Sequence, residues 1–146
     1  MDVTLYSLAL RYVGIKELAG AKNHPLIQWW HSLVTPFEGD LEIADEVSWC
    51  SSALNAWAWE LRLPRSKSAM ARSWLNVGVP VPLAEARVGF DVVVLWRGQA
   101  QSITGHVGLF SGLDGDRVFL LGGNQDDQVS VAPFPVERVL GVRRLA

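Results

Sequence analysis

The sequence predicts an α+β fold, with residues 1–146 forming one domain: helices in the first half, an antiparallel sheet of about five strands in the second. Three observations carry this expectation. Apolar residues recur at helical spacing as far as Leu75. From Phe90 onward they collect into short β-branched runs punctuated by glycine. The links between those runs are too short for crossover helices, so the economical topology is an antiparallel meander.

Taken in order, Leu5, Leu8, Ala9, Tyr12 and Val13 mark the first helix, and Gly14 is its natural stop. A glycine-rich bend runs from Gly14 to Gly20. Asn23 is placed to cap a second helix whose first turn holds Pro25, where a missing amide hydrogen costs little. Leu26, Ile27, Trp30, Leu33 and Val34 form its buried face, and Trp29 points elsewhere. The third helix begins at Cys50, with apolar residues at 50, 54, 57, 58 and 61 and with Ser48 or Cys50 as its cap. Leu63-Pro64 breaks it. A basic stretch follows with Arg62, Arg65, Lys67 and Arg72, in which Ser66 or Ser68 caps a short helix through Trp74 and Leu75.

Pro80, Pro82 and Gly89 mark a turn region between the two halves. Val92-Val93-Val94-Leu95, within Phe90 to Trp96, reads as a central strand buried on both faces. In Gly105 to Phe110 the alternation places His106, Gly108 and Phe110 on one face and Val107 and Leu109 on the other. Ser111 to Asp116 is a hairpin turn. Val118 to Leu121, Val129 to Val131 and Val139 to Val142 complete the strands, the first of these running into Gly122-Gly123-Asn124-Gln125.

Composition narrows the function classes. A net charge of −2, with no basic stripe interleaved with aromatics, argues against nucleic acid as a partner. One cysteine excludes an internal disulfide and any multi-thiolate zinc site. His24 and His31 have no partner at metal-ligand spacing, so no metal and no cofactor is expected. The acid-rich stretch from Glu38 to Glu46 reads as a solvated loop, a calcium site, or a patch attracting a cationic substrate group, and it lacks the EF-hand pattern. The start Met1-Asp2-Val3-Thr4 has no basic n-region, and no apolar run is long enough to span a bilayer. The expectation is a monomer with no membrane partner.

The chemistry is expected where the acidic loop turns into the third helix. A thiol in a first helical turn lies at the positive end of the macrodipole, which favours the reactive thiolate; a nearby carboxylate opposes that effect. A cysteine hydrolase also needs a base and a group that orients the base. His106 is the histidine on a core strand, flanked by Gly105 and Gly108, and Asn124 follows two glycines at a strand end. Each residue alone reads as structural; together they make one constellation.

The ordered set Trp49-Cys50, Gly105-His106-Val107-Gly108 and Gly122-Gly123-Asn124-Gln125 resembles the CHAP/NlpC-P60 group of papain-like cysteine peptidases, which cleave amide bonds in bacterial peptidoglycan. Gly14-Ile15-Lys16-Glu17 with Gly20, Asn23-His24-Pro25, Asp45-Glu46, Ala71-Arg72-Ser73-Trp74-Leu75 and Asp91-Val92-Val93-Val94 extend the likeness to a small phage and prophage subfamily. The resemblance implies a papain-like fold, with Cys50 as nucleophile, His106 as base then acid, and Asn124 orienting His106. Trp49, Glu46, Gln125 and Trp74 are expected to bind substrate or support the site. Many members carry Glu two residues before the orienting Asn, and here that place is Gly122; either Asn124 orients alone, or Gln125 or Glu46 contributes.

The function so implied is a peptidoglycan hydrolase, an endopeptidase or N-acetylmuramoyl-L-alanine amidase working through an acyl-enzyme, of the phage or prophage endolysin type. It is expected to be made in the host cytoplasm and to act in the periplasm or wall after the membrane is opened. A non-catalytic wall-binding or virion-structural module, and a secreted antibacterial effector with the same chemistry, are the other readings.

Overall fold

The computed structural model describes residues 3–17, 24–34 and 49–146. Among the described residues the class is α+β, with three short α-helices against a six-stranded antiparallel sheet. Helix α1 spans Leu5–Leu10, and Thr4 and Ser7 form a reciprocal capping box at its start, each hydroxyl accepting from the other's amide at 3.0 Å. It ends sooner than the apolar spacing suggested. The chain then reaches Gly14, at φ 98°, whose amide donates to Val129 O at 2.9 Å. Helix α2 spans Pro25–Ser32, and its cap is His24, whose Nδ1 accepts from the Leu26 amide at 3.1 Å. That corrects the expectation of Asn23, which lies outside the described residues. Ile27 and Trp30 are buried, and Trp29 is 40% exposed, as the spacing indicated.

Helix α3 spans Cys50–Glu60, and everything from Cys50 through Ala58 is buried. Trp49 occupies its N-cap position with no side-chain cap bond, so Cys50 is not the cap, and Ser48 lies outside the described residues. Asn55 ties this helix to the following loop: its Nδ2 donates to Ser51 O and its Oδ1 accepts from the Lys67 amide at 2.8 Å. The expected fourth helix is a 3₁₀ stretch, Ala71–Asn76, preceded by Met70 rather than capped by Ser66 or Ser68.

The strands are β1 Val79–Val81, β2 Asp91–Trp96, β3 Gly105–Asp114, β4 Arg117–Gln125, β5 Gln128–Pro135 and β6 Val139–Arg144. Their order is β1-β6-β2-β3-β4-β5. Strands β2 to β5 form a meander as expected, but the last expected strand, Val139 to Val142, lies in β6 and pairs with β2 instead of extending the meander. The prolines of β1 suggest a turn; among the described residues it pairs only with β6, and as an edge strand it tolerates them.

The link from β5 to β6 fixes the shape. β6 lies four strand spacings from β5, about 19 Å in a flat sheet at roughly 4.8 Å per strand. The step from Pro135 to Val139 spans at most about 14 Å of extended chain. The sheet must therefore curl, and the curl creates two cores. Val92, Val94, Val107, Leu109 and Leu121 face the helices, packing with Leu5, Trp30, Trp57 and Trp74. Val93, Leu95, Phe110, Val118, Leu120 and Val142 fill the inside of the curl. The β2 run is buried on both faces, as its lack of alternation predicted. Asp91, 1% exposed, closes the sheet's start by pairing with Arg144 through two oxygens at 2.7 and 2.8 Å.

Candidate active site

The site is best built from β4 outward. Gly122 pairs with Ser130, and Gln125 with Gln128, so β4 carries one more residue than β5 between these pairs. The extra residue is accommodated by a bulge, with Asn124 in the left-handed region at φ 58°. Asparagine tolerates that conformation better than most residues. The two-residue turn that follows, Asp126-Asp127, has positive φ at both positions, as a type I′ hairpin requires.

The bulge decides which side chain meets His106. Simple alternation would put Gly122 and Asn124 on one face and Gly123 and Gln125 on the other. The extra residue instead swings Gln125 onto the face of Gly122: a Cβ added at Gly122 would lie 2.9 Å from Gln125 Oε1. Gly108 contributes space as well, since its added Cβ would sit 3.6 Å from the same oxygen. Into that space Gln125 Oε1 projects, 2.9 Å from His106 Nε2. Gln125 is 4% exposed and fully engaged, its Nε2 donating to Leu120 O at 3.1 Å and Ser130 O at 2.7 Å.

This network assigns the imidazole tautomer. Both Gln125 amide hydrogens are directed to carbonyl oxygens, so its remaining oxygen must accept, and His106 Nε2 carries the proton. Nδ1 is then the basic nitrogen of the neutral ring. It is buried and has no hydrogen-bond partner among the described residues. His106 is 1% exposed, and its ring rests on Phe134 with centroids 5.1 Å apart. Among the described residues the ring's hydrogen-bond partner is Gln125, one of the alternatives the sequence left open, and not Asn124.

Beside the imidazole lies a cavity of about 280 Å³, with His106, Asn124, Gln125, Arg97, Asp126 and Phe134 in its wall. Arg138 stands behind it over the Phe134 ring, and burial together with the neighbouring Arg97 charge holds its guanidinium below the ordinary arginine value. Sequence reasoning passed over Arg97 and Asp126, which only the folding of the β2 and β4 ends into one cavity wall brings together.

Cys50 opens α3 and is 1% exposed within the helix-side core. Ala53 N–H makes a helical bond to Trp49 O at 2.8 Å, so the amides of residues 50 to 52 precede that rung of the ladder. His106 leaves β3 on the other face, opposite Leu95 and inside the curl. No hydrogen bond joins His106 Nδ1 to Cys50. The two residues nonetheless belong to one end of the sheet. A Cβ at Gly123 would fall 2.7 Å from the Trp49 ring and 3.2 Å from Ala53 Cβ, so the helix start is seated directly on β4 beside Asn124 and Gln125.

Trp49 and Trp74, expected to bind substrate or support the site, are both buried. Trp49 is 1% exposed and its Nε1 donates to the Glu17 carboxylate; Glu17 in turn donates its amide to Asp127 O at 2.9 Å. Trp74 is fully buried, with Nε1 donating to Ser51 Oγ at 3.0 Å. Neither ring can stack on a ligand. Glu46, and the acidic stretch from Glu38 to Glu46, lie outside the described residues. Among the described residues no group of three His, Cys, Asp or Glu side chains could hold a metal ion, and no helix is long and apolar enough to cross a membrane. Compared with known proteins, the chain matches no family model and no curated protein.

Proposed function

We propose that the protein is a cysteine hydrolase that cleaves an amide bond of bacterial peptidoglycan, and that its fold is of the papain-like class. The observation that carries this reading is the state of His106: a buried imidazole whose Nε2–H is fixed by Gln125 and whose basic Nδ1 is left for a proton, at the strand end on which the Cys50 helix is seated. A buried polar atom without a partner calls for an explanation, and a proton-transfer role supplies one for Nδ1.

In this reading His106 and Cys50, whose side chains lie on opposite faces of the sheet, come within reach when substrate binds; His106 Nδ1 then takes the Cys50 thiol proton, and the thiolate attacks the scissile carbonyl carbon. Amides at the start of α3 receive the developing oxyanion. The proton passes from His106 to the leaving amine as the C–N bond breaks, which leaves a thioester on Cys50. Water, deprotonated by His106, then releases the carboxylate and restores the thiol. Gln125 keeps the ring in the tautomer that both steps need, filling the space beside Gly122 that the family's glutamate would occupy. The enzyme would be of the endolysin type, reaching the wall after the membrane is opened.

The deciding experiment is digestion of purified peptidoglycan by wild type and Cys50→Ala, with released fragments identified by mass spectrometry. New amino termini appearing only with wild type support the reading and name the bond. A second reading, a wall-binding module without turnover, is favoured by the missing hydrogen bond between Cys50 and His106. It predicts no release by either protein and equal retention of both on sacculi. Alkylation of Cys50 by iodoacetamide across pH gives a separate check: His106→Ala must shift the profile if the two residues share a proton.

A further inference from the structure

The end of α3 remote from Cys50 carries a surface that the hydrolase chemistry leaves unused. Trp59 is 47% exposed on α3 and Trp29 is 40% exposed on α2; their rings meet edge to face, with centroids 5.5 Å apart. Next to them is a cavity of about 430 Å³ lined by Trp59, Glu60, Arg62, Leu63 and Arg65. That is within the size range of small-molecule sites.

The backbone beneath Arg62 gives independent reason to look here. Arg62 N–H donates to Trp59 O at 3.1 Å and Leu63 N–H to Ala58 O at 2.9 Å, the paired bonds of a Schellman helix end. The residue between them must be left-handed, and Arg62 is, at φ 56°. Glycine fills this position at least cost. Here the chain keeps a long cationic side chain against backbone preference, facing a cavity with a second guanidinium, Arg65, one of whose hydrogens goes to Leu33 O at 2.8 Å. Glu60 in the same wall accepts from Tyr12 at 3.0 and 3.1 Å.

We infer that this groove is a saccharide-binding site for a glycan strand bearing carboxylate groups. Indole faces offer a flat apolar surface for the C–H face of a pyranose, while the indole N–H and the carboxylate of Glu60 suit ring hydroxyls. Arg62 and Arg65 supply the forked donors that a carboxylate takes. Trp59 lies nine residues beyond Cys50, about 14 Å along the helix axis, so a ligand here would not cover the thiol. The inference stands whether or not Cys50 turns over.

The test is titration of the full chain with a peptide-free muroglycan oligosaccharide, which keeps its carboxylates, and with an uncharged chito-oligosaccharide of equal length, read by tryptophan fluorescence. Saturable binding of the first, at least five-fold tighter than the second, is expected. Trp59→Ala and Arg62→Gly should each weaken it at least ten-fold. Because Arg62→Gly relieves a left-handed residue, its melting temperature should equal or exceed the parent's, which separates lost contact from lost fold. Equal affinity for both saccharides, no saturable binding, or Arg62→Gly binding like the parent would each overturn the inference.

Discussion

Replacing Gln125 with Ala removes three hydrogen bonds at once: the acceptor to His106 Nε2 and the donors to Leu120 O and Ser130 O. At about 1 kcal/mol net for each bond, the loss is about 3 kcal/mol. The full penalty for stranded buried groups is not reached, because the adjacent cavity of about 280 Å³ can admit water to them. For a chain of this size the melting temperature should fall by roughly 6–12 °C. Asn124 makes the control. It holds a left-handed bulge position, so Asn124→Gly should leave stability within about 0.5 kcal/mol, since glycine adopts that backbone freely. On the catalytic reading, Gln125→Ala should slow wall hydrolysis by at least about 10²-fold, the lower end of general acid–base contributions. Asn124→Gly should cost about three-fold or less on the same reasoning. Thermal unfolding with turbidity clearing of sacculi measures both, and imidazole ¹⁵N shifts report whether Nε2 still holds the proton. If Asn124→Gly abolishes hydrolysis while Gln125→Ala does not, the orienting role reverts to Asn124 and the bulge argument fails.

Three further outcomes follow from the packing. Gly123→Ala drives a methyl into the buried Trp49 ring and should destabilise by about 1–3 kcal/mol in urea unfolding, the range for overpacking a core that cannot yield. Trp74→Phe loses the bond to Ser51 Oγ and should cost about 1–2 kcal/mol in urea unfolding, yet leave the rate per folded molecule unchanged; a specific rate loss would restore Trp74 to the substrate site. Tyr12 is raised above 10.0 by burial, then by the hydrogen bond and charge of Glu60. A raised value means the neutral phenol is favoured in the folded state, so its contribution is complete below pH 10 and fades as pH climbs through the folded value. The urea midpoint of wild type should therefore fall towards or below that of Tyr12→Phe as pH rises above 10.0, and a constant difference would refute the coupling.

What periodicity can encode, this sequence encodes. The apolar spacing around Trp30, the outward Trp29, the doubly buried Val92 to Leu95 run and the alternation of His106 against Val107 all depend on a few neighbouring residues, and each holds in the fold, whereas α3 is buried on every side from Cys50 to Ala58 and not along one stripe. The Trp49 indole reaches the Gly-Gly-Asn-Gln segment because Gly123 leaves room for it, a contact that no local pattern encodes. Three features were decided by contacts distant in sequence. β1 became a strand because β6 was there to pair with its edge despite its prolines. Trp49 and Trp74 were drawn inward by partners on other elements, Glu17 and Ser51. The choice of Gln125 over Asn124 rests on one extra residue in β4. A period of two assigns faces only while the register is unbroken, and a bulge, visible only when the partner strand is in place, exchanges the two faces from that point on.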